Sequence, residues 1–321
     1  MLEYDDLLNF LKLFGGFVYL LMGGELLVRG ALGLSKESNV PPVIVGMTVV
    51  AMGTSAPELM VSTFSALSGY PQLAVGNVVG SNIANVLLVI GVPVLIYPIA
   101  TNQDGLARQT SLMIAISLLF IVMCIFEPIT FSEGLLLVFI LVSFLIMATR
   151  GAALIPIDDV EEVEEELDRG FGLPTYPSTI ALLIVLGCIT LPLGADLVVD
   201  GGVGLATSWG VSEAVIGLSL VALGTSLPEL STTVIAALHK SSDVAIGNVV
   251  GSNLFNILAI LGITALLTDI PVDPDFLRLD VWVMFAASVV LWIFVLGKIT
   301  IGKTTGVVFL ASYLSYMYVI Y

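Results

Sequence analysis

Imidazole is almost missing from this chain, which has one histidine, His239, in 321 residues. Metal chemistry and general-base catalysis that depend on histidine therefore have next to no material. His239 stands beside Lys240 at a predicted helix end and reads as an interfacial residue. Thiols are equally scarce. Cys124 and Cys188 lie in apolar runs far apart in sequence, which suits packed thiols better than a disulfide or a metal site. Charge is thin as well, at 11% of residues against about 25% in a soluble domain. A basic leader and a small-residue cleavage site are also lacking: the chain opens MLEYDDLL, acidic where a signal peptide is basic, so the first hydrophobic run is expected to remain.

What fills the space is apolar. Hydrophobic residues make up 58% and the mean hydropathy is +1.08, the composition of a chain that lives in lipid. Ten stretches are long enough to cross a hydrocarbon core of about 30 Å: residues 8–31, 42–67, 73–97, 110–126, 134–148, 179–206, 213–238, 244–267, 281–296 and 305–320. Five fall in each half. Residues 1–150 form a first repeat, 151–178 a linker and 179–321 a second repeat. An odd number of spans per repeat makes the second copy enter the membrane from the opposite side. The expected fold class is therefore an all-α integral membrane protein, with ten transmembrane helices arranged as two inverted five-helix repeats.

Basic loops are retained in the cytoplasm, and Lys and Arg set the orientation accordingly. With the N-terminus outside, Arg29, Lys36, Arg108, Arg150, Arg169, Lys240, Lys298 and Lys303 fall on the inner side, against Lys12 and Arg278 on the outer. Both termini then lie outside and the linker is cytoplasmic. That linker carries eight acids between Asp158 and Asp168, half of the net charge of -16, and reads as a solvated segment.

The repeat is visible in the residues themselves. GNVVGSN occurs at 76–82 and again at 247–253, and each copy follows a GTSxPEL segment, at 53–59 and 224–230. Each copy also places a glutamate, Glu58 or Glu229, inside an otherwise apolar stretch. A carboxylate at membrane depth costs about 2.5–3.5 kcal/mol and marks function by default. Pro57 and Pro228 lack the amide hydrogen that a helix would donate to the Gly53 and Gly224 carbonyls, so both helices should kink there and bare backbone oxygens. Thr54, Ser55, Thr225 and Ser226 add hydroxyls. Asn77, Ser81 and Asn85 share one helical face, as do Asn248, Ser252 and Asn256. Such oxygens suit hard cations, Ca²⁺ or Na⁺, and two formal negative charges match one divalent ion or two monovalent ones. Glu25 and Asp196 are also repeat-related, and read either as helix-end acids or as residues along an ion path.

The pairs GTSAPEL with GNVVGSNIANVLLVIG, and GTSLPEL with GNVVGSNLFNILAILG, resemble the two alpha-repeats of the cation/calcium exchanger superfamily, in its prokaryotic sodium/calcium exchanger branch. The resemblance covers nearly the whole chain. It implies that Glu58 and Glu229 are shared calcium and sodium ligands, with backbone oxygens at Thr54 and Thr225. It further implies sodium-site roles for the Ala51 and Ala222 carbonyls, Ser55, Ser226, Ser81 and Ser252, and central-site roles for Asn85 and Asn256. Some relatives, including potassium-dependent ones, carry Asp where this chain has Asn256, so an Asn here argues against potassium co-transport. GTS in both copies favours sodium as the counter-ion, while a protonatable glutamate keeps proton coupling open. In the resembling family the first and sixth helices slide across the other eight, and Gly15, Gly16, Gly23, Gly24, Gly194, Gly201 and Gly202 would smooth that surface.

The activity expected is secondary antiport of Ca²⁺ against Na⁺ by alternating access, in a monomeric carrier unit surrounded by lipid, with no cofactor and no nucleic-acid partner. A proton-coupled divalent-cation exchanger is the alternative and a cation channel a lesser one. An intramembrane hydrolase using the two glutamates as acid and base lacks a nucleophile.

Overall fold

The computed structural model describes residues 4–126, 128–152, 172–210, 222–274 and 276–320. The first half contributes α1 (Tyr4–Ser38), α2 (Pro42–Thr54), α3 (Ala56–Leu67), α4 (Gln72–Ile96), α5 (Leu106–Ile125) and α6 (Phe131–Ala152). The second contributes α7 (Pro177–Ser208), a short turn at Ala222–Gly224 leading to α8 (Leu227–Leu238), α9 (Ser242–Leu267), α10 (Asp280–Leu296) and α11 (Lys303–Ile320). Six of these helices are long and apolar enough to span a membrane, and α2 and α3, bent by 43° at their break, pass the same test together, as a broken span or a re-entrant loop does. α8 and α10 are shorter apolar helices. The acidic run 158–168 and residues 213–221 of the expected seventh span lie outside the described residues.

Inversion of the halves follows from how their opening helices meet. Gly16 faces Gly194, Gly23 faces Leu191 and Gly30 faces Ile184, so α1 and α7 run antiparallel in continuous contact. A Cβ at Gly16 would lie 2.7 Å from the Gly194 carbonyl oxygen, so the close approach, with its dispersion contacts, exists only with glycine. This changes the expectation for the glycines. Gly16, Gly23, Gly194 and Gly201 knit α1 and α7 to each other, while Gly24 packs against Ser231 and Ile235 of α8.

Two isolated backbone bridges repeat the same symmetry: Ile99 pairs with Ile301 at one end of the molecule, and Ile129 pairs with Ile270 at the other. The first end also carries Lys36, Lys240, Lys298 and Lys303, the second Lys12 and Arg278. Burial divides the helices by role. The spanning windows of α9 and α4 are 89% and 72% buried, those of α1 and α7 only 33% and 28%. α4 and α9 thus form the centre, and α1 with α7 lies along one side, presenting Phe14, Leu21 and Leu186 outward, as a lipid-facing surface requires. Gly247 and Gly251 bring α9 against the α2 backbone at Val43 and Met47, which delivers the motif of one repeat to that of the other.

Candidate cation site

Both glutamates arrive by the same local device. The chain breaks at Ser55 (φ −86°, ψ 4°) and at Ser226 (φ −88°, ψ 2°), and a proline is the second residue of the next helix, so Glu58 and Glu229 sit in the first turns of α3 and α8. The partial positive charge of a helix N-terminus favours an anion there. Each residue is 1% exposed. Ser55, at the break three residues before Glu58, donates to a carboxyl oxygen of Glu229, so the two glutamates converge across the repeat interface. Among the described residues no group of three His, Cys, Asp or Glu side chains could hold a metal ion, so a cation here would have to complete its shell with neutral oxygens.

Those oxygens come from a network that crosses between repeats. Asn77 Nδ2 on α4 donates to Ser62 Oγ (2.9 Å) and to the Glu58 carbonyl (3.4 Å). Asn248 Nδ2 on α9 does the same to Thr233 Oγ1 (3.1 Å) and the Glu229 carbonyl (3.4 Å). Each asparagine therefore ties a motif helix to its own glutamate. Across the interface, Thr54 Oγ1 donates to Asn248 Oδ1 (3.2 Å) and Ser55 Oγ donates to Glu229 Oε1 (3.0 Å). Among the described residues the repeat-related Thr225 Oγ1 and Ser226 Oγ have no such partner.

Asn85 and Asn256 each open a π-helical turn, at Asn85–Val89 and Asn256–Leu261, a widening often found at functional positions. Ser81, Ser252, Asn85 and Asn256 are all buried. Glu58 Oε2, Glu229 Oε2, Asn85 Oδ1, Asn256 Oδ1, Ser252 Oγ, Ser226 Oγ, Thr225 Oγ1 and Thr232 Oγ1 are buried without a protein partner. At about 1–3 kcal/mol for each unsatisfied group, a concentration of this kind calls for a ligand. The Ala51 carbonyl accepts from the Ser55 amide (2.9 Å) and keeps its second lone pair, because the single hydroxyl hydrogen of Thr54, 3.3 Å away, goes to Asn248 Oδ1. Ala222 stands at the equivalent place, directly before the second break.

The approaches to the centre differ. A cavity of about 460 Å³ is lined by Pro57, Val61, Asp196, Asp200, Gly224 and Thr225, among others. It lies toward the end where Asp200 pairs with Lys12 (3.2 Å). On the opposite side, Glu25 Oε2 meets His239 Nε2 at 2.6 Å, joining α1 to the end of α8, with Arg29 3.8 Å from the other carboxyl oxygen. His239 is thus part of an interhelical tie, a role its position beside Lys240 did not reveal. Cys188 packs against Gly53 at the first break, Cys124 is buried, and neither forms a disulfide.

The sequence matches the profile of the sodium/calcium exchanger protein family over residues 8–150 and 179–321. The chain belongs to that family. It is similar to the sodium/calcium exchanger MaX1 of Methanosarcina acetivorans, 32% identical with 98% of each chain covered. It is also similar to the inner membrane protein YrbG of Escherichia coli, 35% identical over 86% of this chain and 85% of that one. The solved sodium/calcium exchanger from Methanococcus jannaschii superposes with a TM-score of 0.83 at 27% identity, covering 97% of this chain and 98% of that one. The ten-helix, inverted-repeat architecture of this family member is shared with that neighbour.

Three residues of the family member's centre escaped sequence reasoning. Asn82 and Asn253 sit between the helical faces already singled out, although both end the repeated heptapeptide. Thr232 replaces Val61 of the first copy, a substitution that no periodicity marks.

Proposed function

We propose that the protein is a secondary antiporter that exchanges Ca²⁺ for Na⁺ by alternating access at one central site. The observation that carries this reading is the convergence of Glu58 and Glu229 through Ser55, each with an unpartnered Oε2, among buried neutral oxygens of both repeats. Two carboxylates neutralise one Ca²⁺ or two Na⁺, so either cargo removes the charge that would oppose passage through a dry barrier. Oxygen donors without sulfur or imidazole select hard cations. Glu58, Glu229, Asn85, Asn256, Ser81, Ser252, Ser55 and Ser226 are the proposed ligating side chains, and the backbone oxygens of Thr54, Thr225, Ala51 and Ala222 complete the set.

Under the positive-inside rule the end bearing Lys36, Lys240, Lys298 and Lys303 is cytoplasmic. The Asp196 cavity then opens outward, and Glu25 with His239 closes the inner approach. One access open and the other tied shut is the arrangement alternating access requires. The test is ⁴⁵Ca²⁺ uptake into proteoliposomes under an imposed sodium gradient or an imposed pH gradient. Uptake driven by sodium and saturable in Ca²⁺ is expected. Uptake driven by the pH gradient alone would overturn sodium coupling, and non-saturating flux would make the protein a channel.

A further inference from the structure

We propose that Asn82 and Asn253 are positioning residues that decide which amide atom Asn256 and Asn85 turn toward the cation, an inference that rests on the central site described above. An asparagine side chain has a cation-attracting face, Oδ1, and a cation-repelling one, Nδ2, of nearly the same shape. Rotation by half a turn exchanges them, so a neutral amide ligand works only if something outside the site holds its orientation.

The hydrogen bonds supply that hold twice. Asn85 Nδ2 donates to Asn253 Oδ1 (3.1 Å), and Asn256 Nδ2 donates to Asn82 Oδ1 (3.0 Å). Asn82 and Asn253 are themselves held by what lies on their other side. Asn82 Nδ2 faces the Asn253 carbonyl (3.4 Å) and Met284 Sδ (3.7 Å), and Asn253 Nδ2 faces Met113 Sδ (3.6 Å). A carbonyl or a thioether there can only accept, so each of these amides keeps its Nδ2 on that side and turns Oδ1 to its partner. That oxygen in turn accepts only from Nδ2 of Asn85 or Asn256. The consequence is visible in the remaining atoms: Asn85 Oδ1 and Asn256 Oδ1 are both buried and both without a protein partner. All four asparagines are 1% exposed, so water does not compete for the arrangement. The pairs join α4 to α9, one member from each repeat, so orientation in one half depends on the other.

A carboxylate offers oxygen whichever way it turns, which separates orientation from mere packing. Asn253→Leu is compared with the unaltered protein and again in the Asn85→Asp background, with KM and maximal rate of ⁴⁵Ca²⁺ uptake and the Ca²⁺-induced rise in unfolding temperature as readouts. In the Asn85 background the change raises KM about tenfold with the maximal rate nearly kept, and in the Asn85→Asp background it raises KM less than about twofold. Asn82→Leu with Asn256→Asp repeats the comparison in the other half, and Asn253→Ala or Asn82→Ala replaces a leucine variant whose ion-free unfolding temperature falls. An equal effect in both backgrounds, or an unchanged KM in the first, overturns the proposal. If the unaltered protein shows neither uptake nor a Ca²⁺-induced shift, the reading of the site itself fails; if it shows both and the comparisons are flat, only the positioning role fails.

Discussion

The first repeat's GTS segment is docked and the second's is not. Thr54 and Ser55 reach across to Asn248 and Glu229, while their repeat mates Thr225, which lines a cavity, and Ser226 have hydroxyls without a partner among the described residues. The approaches follow suit: Glu25 is bound to His239, and its repeat mate Asp196 lines the cavity. The threonine, serine and glutamate are the same in both copies, which differ nearby at Ala56 against Leu227 and Val61 against Thr232. Under the proposed alternating access the difference is one of state, and inversion symmetry gives the expected partners in the other: Thr225 on Asn77, Ser226 on Glu58, and Thr54 and Ser55 released. A balance set by a few hydrogen bonds of about 1 kcal/mol each is on a scale that ion binding can reverse.

The comparison breaks most severely at the centre, where the halves should be equivalent. Glu58→Gln and Glu229→Gln should each lower sodium-driven Ca²⁺ uptake about 100-fold or more, since each leaves a single carboxylate to neutralise a divalent ion and costs several kcal/mol. Uptake retained in both would refute the shared site. Next in size is the tie between α1 and α8. Glu25→Gln or His239→Gln should remove a charge-assisted bond of about 1.5–3 kcal/mol and shift the population toward the opposite access. A thiol placed by Asp196→Cys, in a background without Cys124 and Cys188, should then be labelled from outside about tenfold more slowly by an impermeant reagent. Unaltered labelling would mean the tie does not hold the state.

A smaller effect sharpens the contrast between copies. Thr54→Val should lower ion-free stability by about 1 kcal/mol in thermal unfolding, because it leaves Asn248 Oδ1 without its donor. Thr225→Val should leave stability unchanged or raise it slightly. Equal losses would show that both segments dock. The smallest effect belongs to Lys12→Ala: its partner Asp200 is 70% exposed, and such surface pairs contribute about 0.2–1 kcal/mol at most.

Much of the centre was legible because the constraint is local and doubled. Only a glutamate tolerated in lipid, after a helix-breaking proline, in two inverted copies, pointed to Glu58 and Glu229, and the structure places them together. Ser81, Ser252, Asn85 and Asn256 lie buried on the face that helical spacing assigns them. Asn82 and Asn253 were missed because they fall off that face, and their function comes from contact with the opposite repeat, which spacing within one helix does not encode. The glycines of α1 and α7 were legible as close-packing residues, yet what they pack against depended on the arrangement of the two helices. His239 likewise gained its role from a residue 214 positions away.

The order of residues was sufficient for lipid residence, ten crossings, inversion and two paired glutamates, because hydropathy, helix length and internal repetition act along the chain. Tertiary structure alone decided which copy of the motif is engaged, that Glu25 is bound to His239 while Asp196 lines a cavity, and how the four amides are turned. Those choices rest on differences of a few hydrogen bonds between long-range partners, and the residues that the two copies share carry no information about which of them docks.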